Sequence, residues 1–161
     1  MHLKKGVITM SYTRCLYHII FRTKYSEQTI PIGPDELLYR YIGGIIGNKN
    51  CVVYNINGMP DHIHICASLA ANISLSDFVR DIKRSSSAWL KENGSLFPYF
   101  RGWAAEFAGL SYGSEALPNL INYIGNQKLH HSRISFKDEL KSLLDNENVP
   151  YDDRYFLLDK G

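Results

Sequence analysis

The sequence lacks the features that mark secreted, membrane-spanning or nucleotide-binding proteins. Its 161 residues include only three cysteines (Cys15, Cys51 and Cys66), and none of these forms a CxxC pair. A disulfide framework and a zinc knuckle are therefore excluded, and reduced thiols in the cytoplasm are expected. No apolar run approaches the roughly 18 residues that a membrane span needs. No P-loop, GxGxxG or GxSxG motif is present. These absences predict a cytoplasmic globular protein with no membrane partner.

Charge is nearly balanced overall but unevenly distributed. The net charge is +2, yet residues 1–25 hold five basic residues and no acidic ones, whereas residues 138–161 hold seven acidic and three basic residues. A basic N-terminal segment and an acidic C-terminal segment are compatible with a nucleic-acid partner but do not require one. On charge alone, an ordinary solvated surface is the simpler interpretation.

The hydrophobic pattern predicts alternating strands and helices in one main unit. Strands are predicted at residues 12–23, 51–56, 62–69 and 100–110. A turn signalled by Asn57-Gly58 and extended by Met59-Pro60-Asp61 is predicted between the second and third. Helices are predicted at 35–48, 74–93, 117–131 and 135–146. This βαββαβ order predicts an α+β, ferredoxin-like antiparallel sheet with helices on one face, followed by two further helices. The predicted divisions are an N-terminal arm (1–10), a main domain (11–134) and a C-terminal helix with a tail (135–161).

The segment Asp61-His62-Ile63-His64-Ile65 is the first candidate site. Alternate side chains of a strand share a face, so His62 and His64 point the same way with Cα atoms roughly 6.7 Å apart. Their strand begins after a tight turn, so we expect this face to be half exposed and accessible. Two imidazoles at this spacing can bind one metal ion, although the pattern alone does not identify the metal. Two histidines with no ligand are the plainer alternative.

The helix predicted over 117–131 is the second candidate. Tyr123, Asn126, Gln127 and His130 follow one another at helical spacing and form a polar face beside an apolar stripe. A tyrosine can act as a covalent nucleophile when a base or metal activates it. The commoner role of a helical tyrosine is to border the core with its hydroxyl in water. Gly125 weakens this helix and marks either a close contact or a flexible point.

Taken together, these segments resemble the single-tyrosine HUH transposases of the smallest bacterial insertion sequences (the insertion-sequence 200/605 type) and their palindrome-associated relatives. The resemblance extends from about Ser11 to His131. It rests on the strand 17–25, on the segment 57–64 with its Pro-Asp-His-Ile-His core, on the helix 75–83 and on Tyr123-Ile-Gly-Asn-Gln127. It implies the ferredoxin-like fold with an added tyrosine-bearing helix.

The resemblance also implies roles for individual residues. His62, His64 and Gln127 would bind Mg²⁺ or Mn²⁺, and Tyr123 would attack single-stranded DNA beside a hairpin to form a 5′-phosphotyrosine link. The expected assembly is a homodimer with shared active sites. Basic residues of the first strand and the long helix are candidates for DNA-backbone contacts; they are Arg14, Arg22, Lys24, Arg80, Lys83 and Arg84.

Three other functions share part of this evidence. A non-mobile relative that processes chromosomal palindromes would use the same residues, and only genomic context would separate it from a mobile element. A binding module with no chemistry could use the open sheet to hold nucleic acid. A generic metal hydrolase is weaker, because it leaves Tyr123 and Gln127 unexplained.

Overall fold

The structure, a computed structural model, describes residues 12–159, so the predicted N-terminal arm lies outside the described residues. Its centre is a four-stranded sheet in the order β2-β3-β1-β4, with every neighbouring pair antiparallel. The strands are β1 (Cys15–Arg22), β2 (Val52–Met59), β3 (His62–Leu69) and β4 (Ala108–Tyr112). This order and the βαββαβ connectivity confirm the ferredoxin-like fold predicted from the sequence.

Helices cover both faces of this sheet. Two helices, α1 (Asp35–Asn48) and α2 (Leu75–Glu92), pack on one face around a core that includes Ile63 and Ile65 of β3. Three helices belong to the opposite face: α3 (Leu117–Gly125), α4 (Gln127–His130) and α5 (Phe136–Asn146). The central strands therefore have one apolar face and one face of mixed polarity, and both faces are buried.

The helix boundaries show why sequence signals predicted them well. The Ser74 hydroxyl accepts a hydrogen bond from the Asp77 amide at 3.1 Å, and Ser135 accepts one from the Asp138 amide at 3.2 Å. Both serines therefore satisfy a free amide at a helix start, as N-caps do. Within residues 12–159, no helix combines the length and the apolar character that crossing a membrane requires.

The prediction for the fourth strand was wrong in position, because β4 covers residues 108–112 and not 100–110. Gly102 has a φ of 137°, which interrupts an extended strand. The Lys83 ammonium then donates to the carbonyl oxygens of Ala104 and Glu106, each at 2.8 Å. Carbonyls that bond a side chain in this way are not part of a continuous strand ladder.

The predicted turn over 57–61 is too wide: Asn57 and Gly58 belong to β2, and the two-residue turn is Pro60-Asp61 at the end of the predicted segment. Gly58 is opposite Ile63 in the ladder, and a Cβ atom at Gly58 would lie 2.2 Å from the His62 carbonyl oxygen. The glycine therefore allows close approach of two backbones, a role that glycine also plays in turns.

We predict that Gly58→Ala lowers the free energy of unfolding by about 1–3 kcal/mol, the usual cost of overpacking. The added methyl group would meet backbone, which cannot rotate away as a side chain can. Urea unfolding monitored by circular dichroism measures this. Gly44→Ala is the matched control, because nothing lies within 4 Å of a Cβ at Gly44 and alanine is the better helix former. Equal stability of Gly58→Ala and the wild type would contradict the prediction.

Candidate metal and tyrosine site

The two histidines of β3 lie in the interior of the protein. His62 and His64 are 1% and 0% exposed, respectively. The expectation of a half-exposed, accessible face is therefore wrong. The reason is that α3, α4 and α5 cover this face of the sheet, which the hydrophobic pattern of the strand could not reveal. The two rings nevertheless share a face as predicted, with their centroids 5.0 Å apart.

One ring nitrogen of each histidine is held by a neighbouring group. His62 Nδ1 lies 2.6 Å from the Asp61 carboxylate, and His64 Nδ1 lies 2.7 Å from His18 Nε2 of β1. His18 is itself fully buried. The two Nε2 atoms face the interior, and they are the ring nitrogens that remain for another ligand.

The predicted helix over 117–131 is divided at Asn126 into α3 and α4. At this break the Asn57 side-chain amide donates to the carbonyl oxygens of Ile124 and Gly125, at 3.0 and 3.2 Å. The Lys128 ammonium donates to the Gly58 carbonyl at 2.6 Å and so attaches α4 to β2. Gly125 thus lies where the helix bends toward the histidines.

The break directs Tyr123 and Gln127 toward the histidines of β3. Gln127 is 0% exposed, and its side-chain oxygen lies 3.3 Å from His62 Nε2. The Tyr123 ring packs edge-on against His64, with the centroids 6.0 Å apart. All four predicted site residues (His62, His64, Tyr123 and Gln127) therefore meet within one chain.

Glu139 of α5 occupies the middle of this group, although no motif in the sequence pointed to it. Its Oε1 lies 3.1 Å from His64 Nε2, and its Oε2 accepts hydrogen bonds from the Tyr123 hydroxyl and from Gln127 Nε2, the latter at 3.1 Å. The signal was present in the sequence: an acidic residue three positions after Phe136 falls on the apolar face of α5. Such a buried acid is informative, because carboxylates are seldom buried without a partner.

His131 is the second missed residue. Its Nε2 lies 2.9 Å from Glu139 Oε1, and its Nδ1 donates to the Ile134 carbonyl at 2.9 Å. The helical pattern predicted His130 on the polar face, whereas His131 continues the four-residue spacing of Tyr123 and Gln127. Four groups thus offer potential metal-binding atoms that all lie within 4.8 Å of one another; they are His62, His64, His131 and Glu139.

Burial and Glu139 together control protonation in the site. Burial lowers the pKa of His64 to about 4, against the opposing effect of Glu139. Burial also raises the pKa of Tyr123, and the hydrogen bond to the Glu139 carboxylate raises it further. Burial works to raise the pKa of Glu139, but hydrogen bonds from its neighbours outweigh that effect and hold the pKa well below its usual range. The site therefore contains a carboxylate, neutral His64 and a protonated tyrosine at neutral pH.

The predicted DNA-contacting residues are in different environments. Arg14 is exposed, whereas Arg22 is 1% exposed and pairs with Glu106 and with Asp159, the latter at 2.8 Å. The Arg22 guanidinium is therefore engaged inside the protein and unavailable to a nucleic acid in this arrangement. Arg80 is exposed and pairs with two acidic residues of its own helix.

The other three basic candidates meet in one groove. An open groove of about 900 Å³ is lined by Lys24, two residues after β1, by Lys83 and Arg84 of α2, and by Arg101. Burial lowers the pKa of Lys83 to about 8, and its ammonium already bonds backbone carbonyls. Arg84 and Lys24 are exposed and supply the accessible positive charge of this groove. The Arg101 guanidinium pairs with Glu27 at 2.7 Å.

The chain is similar in sequence to a described protein family. Residues 11–127 match a family described as "Transposase IS200 like". No curated protein matches the chain in sequence. The match ends before His131 and Glu139, so these two residues lie in the part of the chain that follows the shared region.

Two solved structures have a similar fold. One is a protein of Deinococcus radiodurans provisionally assigned as a transposase, with a TM-score of 0.55 and 22% identity, covering 79% of this chain and 98% of that one. The other is a REP-associated tyrosine transposase bound to a REP hairpin, with a TM-score of 0.58 and 12% identity, covering 80% of this chain and 76% of that one. At these identities the similarity demonstrates a shared fold.

Proposed function

Because the chain belongs to the IS200-like transposase family, we propose that it cleaves and rejoins single-stranded DNA at hairpin-marked ends in the cytoplasm. Tyr123 is the proposed nucleophile. The observation that carries this proposal is the position of the Tyr123 hydroxyl, which donates to Glu139 inside a cluster of histidines. A merely structural tyrosine at the edge of the core would not require three imidazoles around its partner.

The proposed reaction conserves the phosphodiester bond energy. Tyr123 Oη forms a bond to the scissile phosphorus, the bond from phosphorus to the 3′ oxygen breaks, and the product is a 5′-phosphotyrosine with a free 3′-hydroxyl. The proton leaves the tyrosine toward Glu139 Oε2, which already accepts its hydrogen bond, and the 3′ oxygen takes up a proton as it departs. A 3′-hydroxyl on another strand reverses these steps, so joining needs no ATP.

The residues of the site fit a divalent metal. His62 and His64 offer Nε2 atoms, and the Gln127 amide oxygen lies 3.3 Å from the first of these. We propose that these three residues hold Mg²⁺ or Mn²⁺ beside the scissile phosphate. When bound, such an ion polarises phosphoryl oxygens and stabilises the charge that develops on them. Asp61 and His18 would then orient the two imidazoles by holding their Nδ1 atoms.

A direct test is formation of a covalent adduct. The full chain is mixed with a single-stranded hairpin DNA from the flanks of its own gene, in Mn²⁺ or in EDTA, and resolved on a denaturing gel. We expect an SDS-resistant protein–DNA adduct with Mn²⁺ and none with EDTA. Tight hairpin binding without an adduct in either condition would contradict the proposal and favour a binding module. Equal adduct formation in EDTA would contradict the metal requirement.

The groove lined by Lys24, Arg84 and Arg101 is the proposed path for the DNA backbone. We predict that Arg84→Ala weakens hairpin binding and reduces the slope of log K against log salt by about 1, as expected for one lost phosphate contact. Binding measured by fluorescence anisotropy over a salt series checks this. Arg40→Ala is the matched control, because Arg40 is an exposed arginine on α1 that does not line the groove. An unchanged slope in Arg84→Ala would contradict this path.

A site that is complete within one subunit is an alternative to the predicted homodimer with shared active sites. Tyr123 reaches Glu139 and the histidines of its own chain, which supports chemistry within one subunit. We expect that mixing Tyr123→Phe with His64→Gln protein restores no adduct formation, because each chain keeps its own defect. Restored activity would support an exchange of tyrosine helices between subunits.

A further inference from the structure

Two residues that follow the family-matched region of the chain lie beside the proposed metal position. The match ends at residue 127, whereas His131 follows α4 and Glu139 lies on α5. The two side chains lie close to each other and to the β3 histidines. Both are nearly buried: the Glu139 side chain is 1% exposed and that of His131 is 5% exposed. A buried carboxylate among three imidazoles needs a specific explanation.

The distances resemble those between ligands of one metal ion. Glu139 Oε1 lies 3.6 Å from His62 Nε2, 3.1 Å from His64 Nε2 and 2.9 Å from His131 Nε2. Two ligand atoms that each bond a metal at about 2.0–2.1 Å lie about 3.3 Å apart in a tetrahedral arrangement and somewhat closer in an octahedral one. A modest outward relaxation of these side chains would therefore open a position for an ion between them.

The opposite ring nitrogens are arranged as metal-binding histidines require. His131 Nδ1 must carry a proton, because its partner is the Ile134 carbonyl at 2.9 Å, which only accepts. His62 Nδ1 faces the Asp61 carboxylate at 2.6 Å in the same way. With Nδ1 protonated, Nε2 is the nitrogen that can bind a metal, and at His131 the ion would displace the proton that Nε2 donates to Glu139 Oε1. Such partners fix the tautomer and orientation of histidine ligands and are usual around protein metal sites.

We infer that His131 and Glu139 bind the same divalent ion as His62 and His64, forming a three-imidazole, one-carboxylate set completed by the C-terminal segment. This inference rests on the proposed function, which supplies the metal at the β3 histidines. Three nitrogen donors favour a transition ion such as Mn²⁺ over Mg²⁺, which prefers oxygen ligands. Together with Gln127 of the proposed site, these residues would give a six-coordinate ion five protein ligands and leave one position for a phosphate oxygen.

The two carboxylate oxygens of Glu139 then have different partners, one of which is Gln127. Glu139 Oε1 faces the histidines while Oε2 accepts from Tyr123 and Gln127. One carboxylate would therefore connect the ion to the nucleophile through its two oxygens. The competing explanation is that Glu139 only balances the imidazoles and leaves when an ion binds. The two explanations predict opposite effects of Glu139 on metal affinity.

The test is metal binding by the full chain, without DNA. Isothermal titration calorimetry of EDTA-treated protein with Mn²⁺ would give Kd for the wild type, Glu139→Gln, His131→Gln and the control Asp138→Asn. Asp138 is the exposed neighbour of Glu139 on α5, so its variant removes the same charge from the same helix turn. We expect Kd to rise at least about 10- to 100-fold in both site variants, the loss seen even when a group that only supports a ligand is removed. The control should keep the wild-type Kd.

Separate outcomes distinguish this inference from the proposed function. Wild-type binding of Mn²⁺ with unchanged or tighter binding by Glu139→Gln would overturn the inference and leave the metal at His62 and His64. Absence of Mn²⁺ binding by the wild type would overturn both. Binding of Mg²⁺ as tight as that of Mn²⁺ would contradict the three-imidazole set. The Mn²⁺-induced rise in Tm gives a second readout: it should be lost in Glu139→Gln even if that variant is less stable without metal.

Discussion

Tyr123→Phe should abolish the covalent protein–DNA adduct and leave hairpin binding nearly unchanged. Only the hydroxyl is lost, while the ring contacts with His18 and His64 at centroid distances of 5.9 and 6.0 Å are retained. Without Oη no bond to phosphorus can form, so we expect the rate to fall by about 10⁴-fold or more, as when other catalytic nucleophiles are removed. Gel quantification of the adduct and anisotropy with the same hairpin measure the two properties.

Tyr151→Phe is the matched control for this variant. The Tyr151 hydroxyl donates to the Asp145 carboxylate at 3.0 Å. Tyr151→Phe therefore also removes a hydrogen bond to a charged acceptor, but Tyr151 lies outside the histidine cluster. Its adduct yield should equal that of the wild type. Loss of the hydroxyl bond at Tyr123 should cost about 1.5–3 kcal/mol of stability, which thermal unfolding can measure. Adduct formation by Tyr123→Phe would exclude Tyr123 as the nucleophile.

His64→Gln should lower metal-dependent adduct formation by about 10²- to 10³-fold. Metal catalysis supplies several kcal/mol of transition-state stabilisation, and a loss of 3–4 kcal/mol corresponds to this fold-change. The substitution removes an imidazole whose Nε2 lies 3.1 Å from Glu139 Oε1, and a glutamine side chain still offers an amide to His18. Rates of adduct formation at several Mn²⁺ concentrations measure the effect.

His130→Gln provides the comparison for His64→Gln. His130 is adjacent to His131 and half exposed, with its Nε2 3.5 Å from Glu139 Oε2, and it is outside the four-group cluster. We expect its adduct rate to remain within a few fold of the wild type. Equal rates for His64→Gln and the wild type would contradict the metal role of the β3 histidines.

Local signals in the sequence predicted most of the fold. The strand at 62–69 and the helix at 35–48 match the structure at both ends, because each has a continuous apolar pattern that begins or ends at a clear turn or proline. The fourth strand was misplaced because Lys83, 21 positions before Ala104 in the sequence, bonds the carbonyls of that segment. The turn was predicted too wide because an Asn-Gly pair is typical of hairpin turns, whereas Gly58 instead lies against the backbone of β3.

The site was predictable only in part, because contacts between elements that are distant in sequence complete it. His62, His64, Tyr123 and Gln127 form two short motifs, and their resemblance to a known family links them. Glu139 belongs to a segment with no such motif, and only the packing of α5 against the sheet reveals its place among the histidines. The burial of the β3 histidines depends on the same packing. The hydrophobic periodicity of one helix or strand does not show which residues of another element it will contact.

The most direct test of the central claim is to locate the DNA on the protein. The adduct formed with Mn²⁺ is digested with nuclease and trypsin, and the peptide spanning residues 102–128, which contains both Tyr112 and Tyr123, is fragmented in a mass spectrometer. We predict a nucleotide 5′-phosphate attached to Tyr123 and absent from EDTA samples. A modification on Tyr112 or another residue, or an unmodified peptide from protein that bound the hairpin, would contradict the claim that Tyr123 carries out strand transfer.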